Sequence, residues 1–227
     1  MERPGLPRLE LHRNLTETVY DALKRAIIDG TLAAGHRLTQ ASLAATFAVS
    51  TTPIREALTR LEREGLVCLL PRRGAVVASF SPDDILEVGE VREILEAFAV
   101  RKAVERATPE VVSRLGAIVD GCRPFVEARD QRSFNHLDVE FHRLIVQTSG
   151  NRRLIRLFDI LHDQFQMIRL RTVQVRGRPQ IPHGEHQQIL AAFAAGDASE
   201  AERLLRWHIR HTALDLVNTL SGSSSTS

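Results

Sequence analysis

The chain has 227 residues, of which 43% are apolar and 26% charged, and its net charge is +2. That length and apolar content can fill two modest cores. No run approaches the roughly 20 apolar residues of a membrane span, the first seven residues lack the apolar stretch of a secretory signal, and the two distant cysteines, Cys68 and Cys122, suit a reduced cytoplasm better than a disulfide framework.

Residues 1–14 read as a flexible arm. Residues 14–29 carry helical spacing. Asn14 and Glu17 stand at capping-box distance, Leu15, Val19, Leu23 and Ile27 form an inner stripe, and Gly30 stops the helix. Thr39 caps a short helix to Phe47. The tight link Ala48-Val49 leads to a second helix, with Ser50 as N-cap and Pro53 in its first turn. Ile54, Ala57, Leu58 and Leu61 make the buried stripe of that helix; Thr52, Arg55, Thr59 and Arg63 lie opposite, and Gly65 ends it. Residues 67–70 and 75–78 are β-prone runs joined by Pro71-Arg72-Arg73-Gly74, a turn with two cations at its tip. Three helices and a basic-tipped hairpin predict a winged helix-turn-helix over residues 15–78.

An outward face of hydroxyls and arginine suits the DNA major groove, where arginine pairs bidentately with guanine and threonine meets phosphate or a thymine methyl. By itself the helix reads equally as an ordinary solvated amphipathic segment; its neighbours favour DNA. The charge distribution agrees mildly: residues 1–80 hold 11 Lys+Arg against 8 Asp+Glu, and residues 81–227 hold 19 against 20.

Residues 79–82 form a linker. Residues 83–220 are helical almost throughout, which predicts an all-α bundle. Its first helix runs from 83 to about 106, with Ile85, Val88, Val91, Leu95 and Phe98 inside. Further helices follow at about 108–129, 130–148, 151–171, 183–195 and 198–220, with a basic, proline-containing loop over 176–182. Residues 221–227 are small and polar and read as a disordered tail. The expected fold class is therefore mainly α: a winged helix-turn-helix joined to an all-helical domain.

Within the bundle Asp138 and His142 are four residues apart and share a helix face. They lie beside the stripe Phe134, Phe141 and Ile145. His186 lies on the stripe of Ile189, Leu190 and Phe193, and His208 on that of Ala201, Leu204, Leu205 and Thr212. The last two helices turn at Gly196-Asp197, so an antiparallel pair holds His186 and His208 at nearly equal height, roughly 16 Å from the turn. One carboxylate and three imidazoles directed into one interior suit a divalent metal. A lone inward histidine is more often a satisfied core residue, and nine histidines make coincidences ordinary, so spacing leaves both readings open. His12, His36, His136, His162, His183 and His211 read as surface or loop residues.

The N-terminal part resembles the GntR family of bacterial transcription regulators. The resemblance rests on Gly35-x-Arg37-Leu38, Leu43-Ala44, Val49-Ser50-x-Thr52-Pro53-Ile54-Arg55-Glu56-Ala57-Leu58, Leu61-Glu62-x-Glu64-Gly65-Leu66-Val67 and Arg72-Arg73-Gly74-Ala75-Val76-Val77. It implies DNA contacts from Arg37, Ser50, Thr51, Thr52, Arg55, Thr59, Arg72, Arg73 and Gly74. Thr51 departs from the pattern, because the family usually has a DNA-contacting arginine there; Arg55 and the wing gain weight accordingly. Residues 83–217 resemble the FCD ligand-binding domain, through Val91-Arg92-x-x-Leu95-Glu96, Asp138-x-x-x-His142, Ser149-Gly150-Asn151-x-x-Leu154, Glu185-His186-x-x-Ile189 and Gly196-Asp197-x-x-x-Ala201 with His208 beyond.

The second resemblance implies a divalent metal (Zn, Ni or Mn) held by Asp138, His142, His186 and His208, and a small organic acid received beside it. Arg92 is the expected anchor for the acid's carboxylate, with a structural pairing to Glu96 as the competing role and Arg143 and Arg169 as alternatives. Together the resemblances imply a cytoplasmic homodimer, a roughly palindromic double-stranded DNA operator, repression relieved or altered by the acid, and no membrane association. Two other functions compete: a metal-dependent hydrolase or isomerase, and a regulator whose metal is structural or is itself the signal. Against the enzyme, no HExxH-type base or nucleophile elbow is found.

Overall fold

The computed structural model describes residues 10–71, 73–176 and 180–223. They divide into two units, Met1–Ser79 and Phe80–Ser227.

In the first unit, helix α1 (Glu10–Ile28) packs against α3 (Thr51–Arg63), with the short α2 (Gln40–Phe47) between them in sequence. Helix α1 begins four residues before the expected Asn14, so part of the expected arm is helical. Glu17, expected in a capping box, instead reaches Arg60 at 2.9 Å. The inner face of α1 is Val19, Tyr20, Leu23 and Ile27, whereas Leu15 is 41% exposed. The stripe begins one turn later than expected because Tyr20 takes the inward place. Its hydroxyl contacts Glu64 at 2.7 Å and its ring stacks on the Arg60 guanidinium at 3.5 Å, which ties α1 to the end of α3.

Thr39 caps α2 by accepting the Ser42 N–H at 3.1 Å. Ala48 then turns left-handed (φ 53) and its N–H satisfies the last carbonyls of α2, setting the tight corner into α3. Ser50 occupies the N-cap position without a side-chain hydrogen bond, which leaves its hydroxyl outside the helix. Ile54, Ala57, Leu58 and Leu61 are fully buried.

The wing is larger than a hairpin. Strands β2 (Val67–Leu70) and β3 (Gly74–Val77) pair antiparallel, and β1 (Arg37–Leu38) adds to the outer edge of β3 in the order β1-β3-β2. A two-residue strand carries too little alternation to be read from sequence. Gly74 makes it possible: at φ 97 a Cβ would lie 2.0 Å from the Leu38 carbonyl oxygen. Arg72, at the predicted tip, lies outside the described residues.

The second unit contains α4 (Pro82–Glu105), α5 (Pro109–Gly121), α6 (Arg123–Ala128), α7 (Gln131–Thr148), α8 (Arg152–Arg176), α9 (Gln180–Ala194) and α10 (Ala198–Ser223). A capping box between Ser81 and Asp84 opens α4. Asn151 Oδ1 accepts the Arg153 and Leu154 N–H groups at the start of α8, and Asp197 Oδ1 accepts that of Glu200 at the start of α10. The helix expected over 108–129 breaks at Cys122, just before Pro124, giving α5 and α6. The loop expected over 176–182 shrinks, since α8 continues to Arg176 and α9 starts at Gln180. Residues 221–223 belong to α10 rather than to a tail; residues 224–227 lie outside the described residues.

The largest difference concerns α4. Val91 and Phe98, expected inside, are 45% and 48% exposed, and Leu95 is half-buried. Ile85 and Val88 are buried as expected, and the rest of the buried face carries Gly89, Arg92, Glu93, Glu96, Ala97, Ala99, Val100 and Ala103. At Gly89 a Cβ would lie 2.8 Å from the Ala213 Cβ, so the missing side chain lets α4 and α10 approach closely.

The position of Gly74 gives a direct test of the sheet. Gly74→Ala should destabilise the first unit by more than about 1 kcal/mol, from the left-handed φ and the backbone clash together. Differential scanning calorimetry would show it as a lowered first transition, with the transition of the helical unit unmoved.

Candidate metal centre and nucleic-acid face

Three helices deliver candidate ligands to the middle of the second unit. Asp138 and His142 come from α7, His186 from α9 and His208 from α10, and all four are at most 1% exposed. One possible ligand atom from each lies within 4.8 Å of the other three. His142 Nε2 is 3.2 Å from His208 Nε2, and His186 Nε2 is 3.3 Å from the same atom. Asp138 Oδ1 is 3.5 Å from His186 Nε2 and 4.0 Å from His142 Nε2.

Carboxylates behind two of the rings and aromatic stacking on the third fix their orientation. His142 Nδ1 is 2.6 Å from Glu96 Oε2, and His208 Nδ1 contacts Glu185 Oε2. The His186 ring lies between Phe134 and Phe141, with centroids 6.2 and 4.3 Å away. Burial pushes Glu96 up, but Arg92 and His142 outweigh it and bring it down to about 2. Glu96 is therefore ionised and accepts the Nδ1–H of His142, which turns the Nε2 lone pair inward. Burial, together with His142, pulls His208 down to about 3, and burial together with His208 holds His186 well below the usual histidine range. Burial also pushes Glu185 up to about 7, opposed by His211 and reinforced by Asp215.

The Nε2 atoms of the three imidazoles thus lie together beside a carboxylate oxygen. With His208 Nε2 at 3.2 and 3.3 Å from the other two nitrogens, the group can share few protons. A cation meets every lone pair at once, and Zn–N bonds of about 2.0–2.1 Å suit nitrogens at such separations. The donor set therefore fits a divalent metal. Carboxylate–histidine pairs behind the ligating nitrogens are the usual outer support of such sites.

Two buried guanidiniums, from α4 and α8, complete the centre. Arg92 gives both Nε and Nη2 to Glu96 Oε1, at 2.8 and 2.7 Å. Arg169 bonds both oxygens of Asp138. Both stack on Phe165, at 4.1 and 5.0 Å from the ring centre. Burial pushes Asp138 up, and Arg169 with His142 and His186 outweighs it, leaving it well below the usual carboxylate range. Arg92 thus adopts the structural pairing that competed with its anchor role in the sequence. Arg143 is not at the centre; it pairs with Asp159 at 3.2 Å on the surface.

His162 and His183, read from sequence as surface residues, are buried at 1% and 8% exposure. His162 stacks on Phe158 and contacts Gln166, and burial together with Arg92 holds it well below the usual range. Glu185 and Arg169 were missed as supports of the ligand set. The adjacency of Glu185 to His186 was visible, but a neighbour in sequence reaches another helix only through the fold.

In the first unit, Arg37, Ser50, Thr51, Thr52, Arg55 and Arg73 are all exposed. Thr59 is half-buried and its hydroxyl donates to the Arg55 carbonyl at 2.9 Å. Gly74 is half-buried under β1.

Comparison with known proteins decides the family. The gntR family of bacterial regulatory proteins matches residues 15–77 and the FCD domain matches residues 87–211. The chain belongs to the GntR family and carries an FCD domain. The HTH-type transcriptional repressor GlaR of Escherichia coli is 30% identical over 200 residues, covering 84% of this chain and 90% of GlaR. The transcriptional regulator YdhC of Bacillus subtilis is 28% identical over 202 residues, covering 88% and 90%. Among solved structures, E. coli McbR/YncC matches with a TM-score of 0.79 at 24% identity over 91% of this chain and 98% of that one. The metal-free FCD domain of TM0439 matches 64% of this chain and 99% of its own length, with a TM-score of 0.55 at 20% identity. This GntR/FCD protein is therefore a DNA-binding transcriptional regulator and not an enzyme, which removes the hydrolase or isomerase alternative.

The outer carboxylates make the metal centre testable without knowledge of the regulated genes. Glu185→Ala should weaken metal affinity roughly 10–100-fold, as loss of such supports does. His208→Ala should abolish stoichiometric binding. Isothermal titration with Zn, Ni and Mn of the stripped protein measures both.

Proposed function

We propose that this GntR/FCD protein is a cytoplasmic repressor whose operator affinity is set by a metal-bound organic acid. The convergence of the His142, His186 and His208 Nε2 atoms on a point beside Asp138 carries the reading, because a cation there would meet three imidazole nitrogens and a carboxylate oxygen together. Asp138, His142, His186 and His208 hold the metal, with Zn, Ni and Mn as the ions whose chemistry suits a mixed imidazole and carboxylate set. The metal supplies a Lewis-acidic position for a ligand oxygen.

The protein's own residues do the rest. Arg92 receives the carboxylate of a small organic acid in competition with Glu96, and Phe165 supports its guanidinium from below. Phe134 and Phe141 cover the His186 ring. Two protomers present their winged units to a roughly palindromic operator. Arg37, Arg55 and Arg73 meet phosphate or guanine edges, as does Arg72. Ser50, Thr51 and Thr52 line the start of α3, the backbone at Gly74 approaches phosphate, and Thr59 adds a methyl contact. The acid changes operator affinity by its differential affinity for two states of the dimer, typically ~1–3 kcal/mol.

Binding of protein to duplexes selected from a random pool, followed by fluorescence anisotropy, tests this reading. Arg55→Ala should cost roughly 1–3 kcal/mol and relax sequence preference, whereas Arg73→Ala should weaken all duplexes alike and reduce the salt dependence. With metal bound, one member of a panel of small carboxylic acids should shift operator affinity about 5–150-fold. No shift with any acid, together with operator release on chelation, would make the metal itself the signal.

A further inference from the structure

The inward line of α8 runs Phe158, His162, Phe165 and Arg169, at 4-3-4 spacing on one face, and all four are buried. Two of them already serve the centre. Arg169 holds Asp138, and the Phe165 ring lies beneath both the Arg92 and the Arg169 guanidiniums. His162 stands one turn before Phe165 and faces the same interior. Arg92 is the charge it feels most, ahead of Glu96, His142 and Arg169. Yet His162 belongs neither to the candidate ligand set nor to the ion pairs that support it.

The hydrogen bonds of His162 are incomplete. Its ring stacks on Phe158 at 4.9 Å, and its Nε2 lies 3.2 Å from Gln166 Nε2. An amide nitrogen only donates, so the ring accepts at Nε2 and carries its proton on Nδ1. That Nδ1 is buried and has no partner in the protein. His186 Nδ1 is likewise unpartnered, but its ring already has a place among the candidate ligands. Buried N–H groups are nearly always bonded, and one left over beside a binding centre calls for an acceptor. The state of the ring narrows the choice. Burial and the nearby Arg92 keep His162 uncharged. A second carboxylate would be buried against a neutral donor, whereas a hydroxyl or carbonyl oxygen is satisfied by a single N–H.

We infer that His162 Nδ1–H binds an uncharged oxygen of the effector, a hydroxyl or carbonyl group on the acid whose carboxylate Arg92 receives. The effector is then a hydroxy- or oxo-carboxylic acid. The inference rests on the organic-acid reading of the proposed function and gives it a residue that selects among acids.

Isothermal titration of the zinc-loaded protein with butyrate and with 2-, 3- and 4-hydroxybutyrate tests it, the three isomers sampling the position of the oxygen. At least one hydroxy isomer should bind roughly tenfold or more tighter than butyrate, because a site built to bond a hydroxyl rejects the analogue without it. His162→Phe keeps a ring on Phe158 without a donor and should cut that preference to less than about threefold. His162→Asn, whose amide nitrogen can stand where Nδ1 does, should retain most of it. Circular dichroism confirms that each variant is folded, and zinc affinity should stay at the parent's value. Zinc affinity lost along with the preference in His162→Phe would make His162 a structural support and overturn the inference. Hydroxy isomers that bind no tighter than butyrate, or a preference that His162→Phe keeps, would overturn this inference alone. A zinc-loaded parent that binds none of the four acids at millimolar concentration would overturn it together with the carboxylate role of Arg92.

Discussion

Burial of charge in the helical unit governs the rest of that unit. Arg92, Glu96, Asp138 and Arg169 are all at most 6% exposed, and a charge taken out of water is tolerated only when it is paired and hydrogen-bonded. The helices meet that demand in two chains of contacts. Arg92 bonds Glu96, which orients His142; Arg169 bonds Asp138, which faces His186. Removing one member of either chain strands its neighbour, so the ligand set and the packing cannot be varied independently. The apolar cluster around Phe141, Ile189, Phe193 and Leu205 fixes the helices tightly enough for those contacts to be held.

The same demand explains why α4 faces the way it does. Its apolar residues could have turned Val91, Leu95 and Phe98 inward, as periodicity suggests. Doing so would carry Arg92 and Glu96 toward solvent and leave His142 without a partner for Nδ1. The observed rotation puts small residues, Gly89, Ala97 and Ala103, against the neighbouring helices and reserves two inward places for the ion pair. Val91, Ile94 and Phe98 face outward as a consequence. The site inside and the exposed apolar residues outside are two results of one helix rotation.

Much of this was legible in the sequence. The corner between α2 and α3, the buried stripe of α3, the capped starts of α4, α8 and α10, and the inward lines of His186 and His208 follow from local spacing and cap chemistry. What periodicity could not give was the face of α4, because hydrophobicity ranks Val91 above Arg92 and is silent on pairing across helices. Tyr20 displaced Leu15 for a similar reason: its ring and hydroxyl answer Arg60 and Glu64, forty and more residues away. His162 looked like a surface residue because its partners, Phe158 and Gln166, lie on its own helix and only tertiary packing buries them. The strand β1 is two residues long and exists through the missing side chain of Gly74, a backbone contact that leaves no pattern in the residues around it.

Helix α4 occupies an unusual position in the chain. It follows the winged unit in sequence through the short stretch that ends in the Ser81 capping box, it supplies Arg92 and Glu96 to the buried Asp/His cluster, and it carries the exposed Val91, Ile94 and Phe98. In the proposed reading, a ligand carboxylate that takes Arg92 from Glu96 would also disturb the carboxylate that orients His142. Linkage is reciprocal for binding free energies. In the proposed reading, an acid that prefers one state of the regulator would be bound more tightly by that state, and DNA that prefers the other would oppose it to the same degree.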